Sequence, residues 1–287
     1  MKNREPIRTK TIYTPQSEVL NPLKMIREMF ADAYRAKELA VALFKRDIKA
    51  QFRQSILGYA WLFFPPVATT FIWFFLNSSG VVTVAETGIP YPAFVMIGTL
   101  LWQAFLDSLT KPIQALNRSR SMLIKLNFPR EAPILAAIAE TTLTSLVRLL
   151  LLIPIFIFVN LELVWTACLF PLGYFAMVLS GTAIGLLFTP LGLLYTDVSR
   201  ALQLIGQFAM YATPIVYPIA TSGILSKINA LNPLTYLIET SRNTLNGGPF
   251  DLLPQALLVT GMTCIIFFLA WCIFRVTIPR VIERMGM

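Results

Sequence analysis

A chain of 287 residues that is 56% hydrophobic and only 14% charged, with a mean hydropathy of +0.65, lies outside the range of soluble domains and reads as an all-α integral membrane protein. The net charge of +9 does not point to nucleic acid: of 24 Lys and Arg, 12 precede Ser55, five fall between Lys111 and Arg130 and three follow Cys272, as flanks of membrane segments do. With no histidine, no acidic cluster, and Cys168, Cys264 and Cys272 each in an apolar run, the composition excludes an ordinary metal site, a redox pair and a Ser-His or Cys-His nucleophile.

Residues 1–22 carry Pro6, Pro15 and Pro22 among Lys, Arg, Thr and Gln, which predicts an extended cytoplasmic arm and no cleavable signal. Residues 23–58 turn helical but are too polar to span. Phe44, Ile48, Phe52 and Ile56 recur every fourth residue, with Lys45, Lys49 and Arg53 on a neighbouring stripe. That spacing suits an amphipathic interface helix with its cations toward lipid phosphate, and equally a solvated basic face beside a span. The charge-free run from Gln54 to Ala85 then marks entry into the membrane.

A hydrocarbon core needs about 20 helical residues per crossing. Such runs predict six transmembrane helices at 59–80, 91–111, 132–160, 163–190, 200–220 and 253–275, making a six-span domain over 59–275 and a cytoplasmic tail over 276–287. Six crossings leave 21 cations on one side against Lys227 and Arg242 on the other, with Arg148 inside the third span, so both termini are predicted cytoplasmic. The inner connection 111–131 holds Arg118, Arg120, Lys125 and Arg130 around Met122, Leu123, Ile124 and Leu126, and predicts a short helix near Asn127 offering an apolar side to a partner. The outer connection 218–252 is broken by Pro218, Pro233, Pro249 and Gly247-Gly248 yet remains apolar, which predicts re-entrant or interfacial helices before the last span.

Asp107, Glu140 and Arg148 are ionisable groups within or near the spans, where a charge costs about 2.5 to 3.5 kcal/mol at mid-bilayer and must face protein or water. Pairing of either carboxylate with a cation or hydroxyl is the expectation, ahead of a proton relay. Gly181 and Gly185 form a GxxxG pair whose default role is close helix packing. Aromatics crowd the first span and recur at Phe208, Tyr211 and Tyr217. No G-x-x-x-x-G-K-[ST] loop occurs, so energy for directed work would have to enter from a partner.

Four segments together resemble the membrane subunit of ABC-type polysaccharide exporters, the permeases of O-antigen, capsule and teichoic acid export. They are RDIKAQFRQSILGYAWLFFPP (46–66), KLNFPREAPILA (125–136), YTDVSRALQLIGQFAMYATPIVYP (195–218) and LNPLTYLIETSRNTL (231–245). Thr196 and Pro133 depart from that family's pattern, the first where a basic residue stands and the second one position early.

The resemblance implies a type-2 ABC exporter permease of the cytoplasmic (inner) membrane. It would be a homodimer worked by two copies of a separate ATPase that binds ATP and Mg, leaving this chain without catalysis or cofactor. The cargo would be an undecaprenyl-pyrophosphate-linked or similar lipid-linked glycan, O-antigen first. On that basis Arg46, Lys49 and Arg53 become the lipid-phosphate entry. Trp61, Phe64, Tyr211 and Tyr217 become conduit rings, and Arg118, Arg120, Lys125, Phe128, Arg130 and Glu131 the ATPase coupling site. Two alternatives stay open, a permease for a small amphiphile such as a drug or haem, and an intramembrane enzyme on lipid-linked sugars.

Overall fold

The computed structural model describes residues 22–286 apart from 54, 127 and 163, and these are almost entirely helical. The predicted arm lies outside the described residues up to position 21. Two polar helices come first, α1 (Pro22–Arg35) and α2 (Lys37–Phe52), and the 3-10 turn Gly58–Leu62 leads into α3 (Phe64–Ser78). Then follow α4 (Tyr91–Arg118), the short α5 (Arg120–Lys125), α6 (Ala132–Leu149), α7 (Leu152–Phe158), α8 (Phe170–Leu194) and α9 (Thr196–Ala209). The connection before the last helix contributes α10 (Gly223–Leu231) and α11 (Pro233–Asn246), and α12 (Leu253–Gly286) ends the described chain.

Four stretches are long and apolar enough to cross a membrane: Tyr91–Arg118, Ala132–Phe158, Trp165–Leu194 and Leu253–Arg284. The other two expected spans are shorter than their charge-free runs. Pro65 and Pro66 start α3 late, since proline suits a first turn and not a helix interior, and α3 has 15 residues, about 22 Å at 1.5 Å each. Thr213 and Pro214 stop the other, leaving α9 with 14 residues before a 3-10 turn. Pro154 has the same kind of effect inside the third span. It lacks the N–H that would bond Leu150 O, and the break between α6 and α7 is bridged by Leu150 N to Val147 O and Leu151 N to Arg148 O.

α4 is the axis of the bundle. It is buried along nearly its whole length and packs against α8 above all, then α6, α3 and α9. The close α4–α8 crossing follows from glycine. A Cβ on Gly181 would stand 2.4 Å from Phe105 O, and one on Gly185 would stand 2.4 Å from Leu109 O. Only residues without a side chain let the backbones meet there. α12 also packs against α8, joined at one end by a cluster of Leu116, Leu123, Leu186, Leu193, Phe274 and Ile278. α2 docks on α6 through Ala40, Leu43, Ala132 and Ala136, with Ala36 of the α1–α2 junction in the same cluster, and the four alanines let α2 come close to the span.

α11 has complete caps. Asn232 accepts from Leu234 N at 3.1 Å, Pro233 occupies the first turn, and Gly247 takes the left-handed conformation (φ +67°) past the end. It is seated on α8 at Gly173, where a Cβ would fall 2.0 Å from Ser241 Oγ.

Candidate functional site

Two ion clusters tie the polar N-terminal helices to the spans. In the first, Glu140 of α6, 1% exposed, accepts from Lys111 Nζ and from Arg118 Nη2, the latter at 2.7 Å. Arg118 also reaches Asp47 of α2 at 3.3 Å, and Asp47 holds Arg46 at 2.8 Å. A single buried carboxylate thus faces two cations, and α2, α4 and α6 converge on it. In the second, Arg275 of α12 donates to Asp32 at 3.0 Å and to Glu131 at 3.2 Å, with Glu28 at 3.7 Å. Burial pushes the Glu131 carboxyl up from the ordinary range, while its backbone hydrogen bond and Arg275 pull it down. Both clusters place charge where desolvation is expensive, so removing one member is worse than never having had the pair.

A third pair lies deeper. Arg148 binds Asp107 of α4 through Nη1 and donates Nε to Leu62 O at 3.2 Å. It thereby joins α4, α6 and the turn that carries Trp61. Asp107, Glu140 and Arg148 are therefore all in ion pairs.

The three residues expected at the lipid-phosphate entry, Arg46, Lys49 and Arg53, divide. Lys49 and Arg53, both exposed, line an open hollow of about 530 Å³ with Ile48 and Tyr59. Arg46 is turned away, toward Asp47 and the sulfur of Met122 at 3.6 Å, so it bridges α2 to α5.

The coupling residues divide as well. Arg120 and Lys125 of α5 are exposed, whereas Glu131 is buried on Arg275 and Arg118 is engaged with Asp47 and Glu140. Phe128 packs beside the inner cluster and Arg130 is half-buried. The connection expected over 111–131 is helical through Arg118, because α4 runs on past the predicted boundary.

Among the aromatics, Trp61 and Phe64 meet edge to face with centroids 5.8 Å apart, and both are exposed. Tyr211 is exposed, and Tyr217 donates its hydroxyl to Tyr211 O at 3.0 Å while accepting from Asn229 Nδ2 at 3.3 Å. No ring contact joins the two pairs among the described residues.

Sequence reasoning missed Asp47, Asp32, Arg275 and Arg242 as anchors. For two of them the available signal was a lone charge between apolar neighbours, Ala31-Asp32-Ala33 and Phe274-Arg275-Val276; Asp47 beside Arg46 and Arg242 between Ser241 and Asn243 carry no such signal.

Buried ion clusters that lash two polar N-terminal helices to a spanning bundle, with a short basic helix left exposed at one end, suit a membrane subunit moved from outside itself. The model of the ABC-2 type transporter family matches residues 38–246, from α2 through α11. The chain belongs to the ABC-2 type transporter family. Relatives of this transporter chain include the O-antigen export system permease protein RfbA of Myxococcus xanthus, 25% identical over 226 residues, covering 76% of this chain and 82% of the relative. Two proteins of the same name from Klebsiella pneumoniae are 27% identical over 223 residues (75% and 82% covered) and 26% identical over 220 (74% and 81%). The family match takes in both clusters around Glu140 and Arg148, and it ends at Asn246, the last residue of α11, before Arg275 of the transporter's final helix.

Proposed function

We propose that this chain is the permease subunit of an ATP-driven exporter for a lipid-linked polysaccharide, O-antigen in the first instance, in the cytoplasmic membrane. The observation that carries the reading is similarity over three-quarters of the chain to permeases named for O-antigen export. Two copies would form the conduit, and a separate ATPase holding ATP and Mg would supply the work. In this reading α3, lengthened by the Gly58–Leu62 turn, and α9, lengthened by its 3-10 turn, complete six crossings with both termini cytoplasmic, and α10 and α11 are re-entrant at the outer face.

The mechanism follows from the attachments. The ATPases close against α5, whose Arg120 and Lys125 are exposed. Arg46, bridging Asp47 and Met122, carries the push to α2, and Glu140 passes it to α4 and α6. A link through buried charges has discrete arrangements rather than a continuous range, which suits switching between two states. Lys49 and Arg53 steer a lipid pyrophosphate at headgroup level, and the exposed rings of Trp61, Phe64, Tyr211 and Tyr217 give glycan a flat surface to slide along.

Two outcomes test this. Lys49→Gln with Arg53→Gln lowers export about tenfold, the scale of one lost charged hydrogen bond, while ATPase association is unchanged. A normal rate of glycan arrival at the surface would refute phosphate steering. Arg120→Glu with Lys125→Glu leaves the chain folded, because neither residue is in a buried cluster, but abolishes substrate-stimulated ATP hydrolysis. Intact co-purification with full stimulation counts against the role of α5.

A further inference from the structure

Between the 3-10 turn after α9 and the start of α10, residues 213–222 form no helix: Thr213 N closes the turn on Met210 O at 3.3 Å, and the backbone is irregular beyond it. In apolar surroundings an irregular backbone is stable only when protein groups take up its carbonyls. Side chains do so here, one after another. Tyr217 Oη donates to Tyr211 O at 3.0 Å and Asn229 Nδ2 to Ala212 O at 3.4 Å. Asn232 Nδ2 reaches Thr213 Oγ1 at 2.8 Å, and Tyr91 Oη donates to Val216 O at 2.9 Å. Arg242 Nη2 takes both remaining acceptors in the middle, Pro214 O at 3.2 Å and Ile215 O at 3.4 Å.

Of these donors Arg242 is the one that carries a charge, and 1% of its surface is exposed. Its guanidinium lies 3.6 Å from the centre of the Phe94 ring, and Nη1 donates to Glu239 Oε2 at 2.6 Å. Burial pushes the guanidinium down from the ordinary arginine range, and Glu239 holds it up. The space is made by Gly98 of α4, where a Cβ would stand 2.8 Å from Arg242 Nη2 and 2.7 Å from Ile215 O. Three elements, α4, α11 and the break after α9, therefore meet at one cation.

We propose that Arg242 is a positioning residue of the permease: it holds the 214–217 break against α4 and so sets where Tyr211 and Tyr217 stand at the outer end of the conduit. The inference rests on the aromatic-conduit reading given above. Arginine is required because the site combines two carbonyls, a carboxylate and a ring face, which a planar fork serves at once and the single nitrogen of lysine does not. Glu239 alone does not explain the arrangement, since an i,i+3 pair within α11 would form without the carbonyls of the break.

The test uses the assembled exporter with Cys168, Cys264 and Cys272 replaced by Ser and Tyr211→Cys as the probe. A membrane-impermeant thiol reagent is added from outside, with and without Arg242→Lys, Arg242→Met and Gly98→Ala. Loss of a buried charged contact shifts populations about tenfold, so all three variants speed labelling on that scale and lysine does not rescue. Gly98→Ala retains Arg242 and keeps the comparison open where Arg242→Met does not assemble. Equal labelling rates across parent and variants overturn the proposal. With Tyr211 intact, the same variants lower the maximal export rate without changing half-saturation by substrate, because loading occurs at the inner end. Faster labelling with an unchanged export rate preserves the latch and sinks the conduit reading.

Discussion

Glu140→Ala lowers the stability of the assembled protein by about 3 to 5 kcal/mol, the scale of a broken buried ion pair. The carboxylate is 1% exposed and holds Lys111, 12% exposed, and Arg118, 38% exposed. Water already screens Arg118, which keeps Asp47 as a second partner, so Lys111 dominates the loss. Left without a countercharge inside the bundle, its ammonium must desolvate, drag water in or force α4 away from α6. Glu140→Leu combined with Lys111→Met removes both charges together, and most of the stability returns. Thermal unfolding of the purified assembly measures both variants against the parent. A Glu140→Ala change within about 0.5 kcal/mol, as on an ordinary surface site, would show that the cluster does not bear on the fold. The functional consequence is separate from the stability loss: α6 is untied from α4 while Arg118 still holds Asp47 of α2, so in the proposed exporter ATP hydrolysis persists in the surviving fraction while export falls more steeply than the amount of protein.

The spanning runs at 91–111, 132–160, 163–190 and 253–275 were legible because absence of charge over about 20 residues has one physical meaning. Gly181 and Gly185 were legible for the same reason, since a glycine pair one turn apart in an apolar helix does little except permit contact. The short lengths of α3 and α9 were foreshadowed by Pro65, Pro66 and Pro214, but a proline at a helix start and one that ends a helix look alike until the neighbouring backbone is known. The connection over 111–131 was legible as basic and partly apolar, not as divided: Arg120 faces out while Glu131 turns in to Arg275, more than a hundred positions away. No local pattern reports a partner at that separation. Arg242 was counted as an outer cation when its address is a buried cradle, because the carbonyls that receive it belong to backbone and leave no mark in residue type.

Gly185→Ala destabilises the protein by about 1 to 3 kcal/mol, the cost of overpacking, and Gly185→Leu prevents assembly. The new Cβ meets Leu109 O at 2.4 Å and Ser108 O at 3.0 Å, both backbone atoms of α4 that cannot rotate aside. Gly181→Ala behaves alike, striking Phe105 O at 2.4 Å, whereas Gly192→Ala meets only the side chain of Ile113 at 2.7 Å and is milder. Gly261→Ala, in α12 with nothing within 4 Å, supplies the opposite sign and gains up to about 1 kcal/mol from helix propensity. Melting temperatures of the four variants should therefore rank by what the added methyl touches, not by helix or depth. Equal melting of Gly185→Ala and Gly261→Ala would remove the α4–α8 crossing as the contact that organises the bundle. The stakes extend beyond packing, because α4 also carries Gly98 at the outer break, Asp107 beneath Arg148, and Lys111 and Arg118 on Glu140. An α4 displaced from α8 by a methyl group would loosen the outer latch and the inner cluster together. For that reason Gly185→Ala lowers export further than its stability loss accounts for.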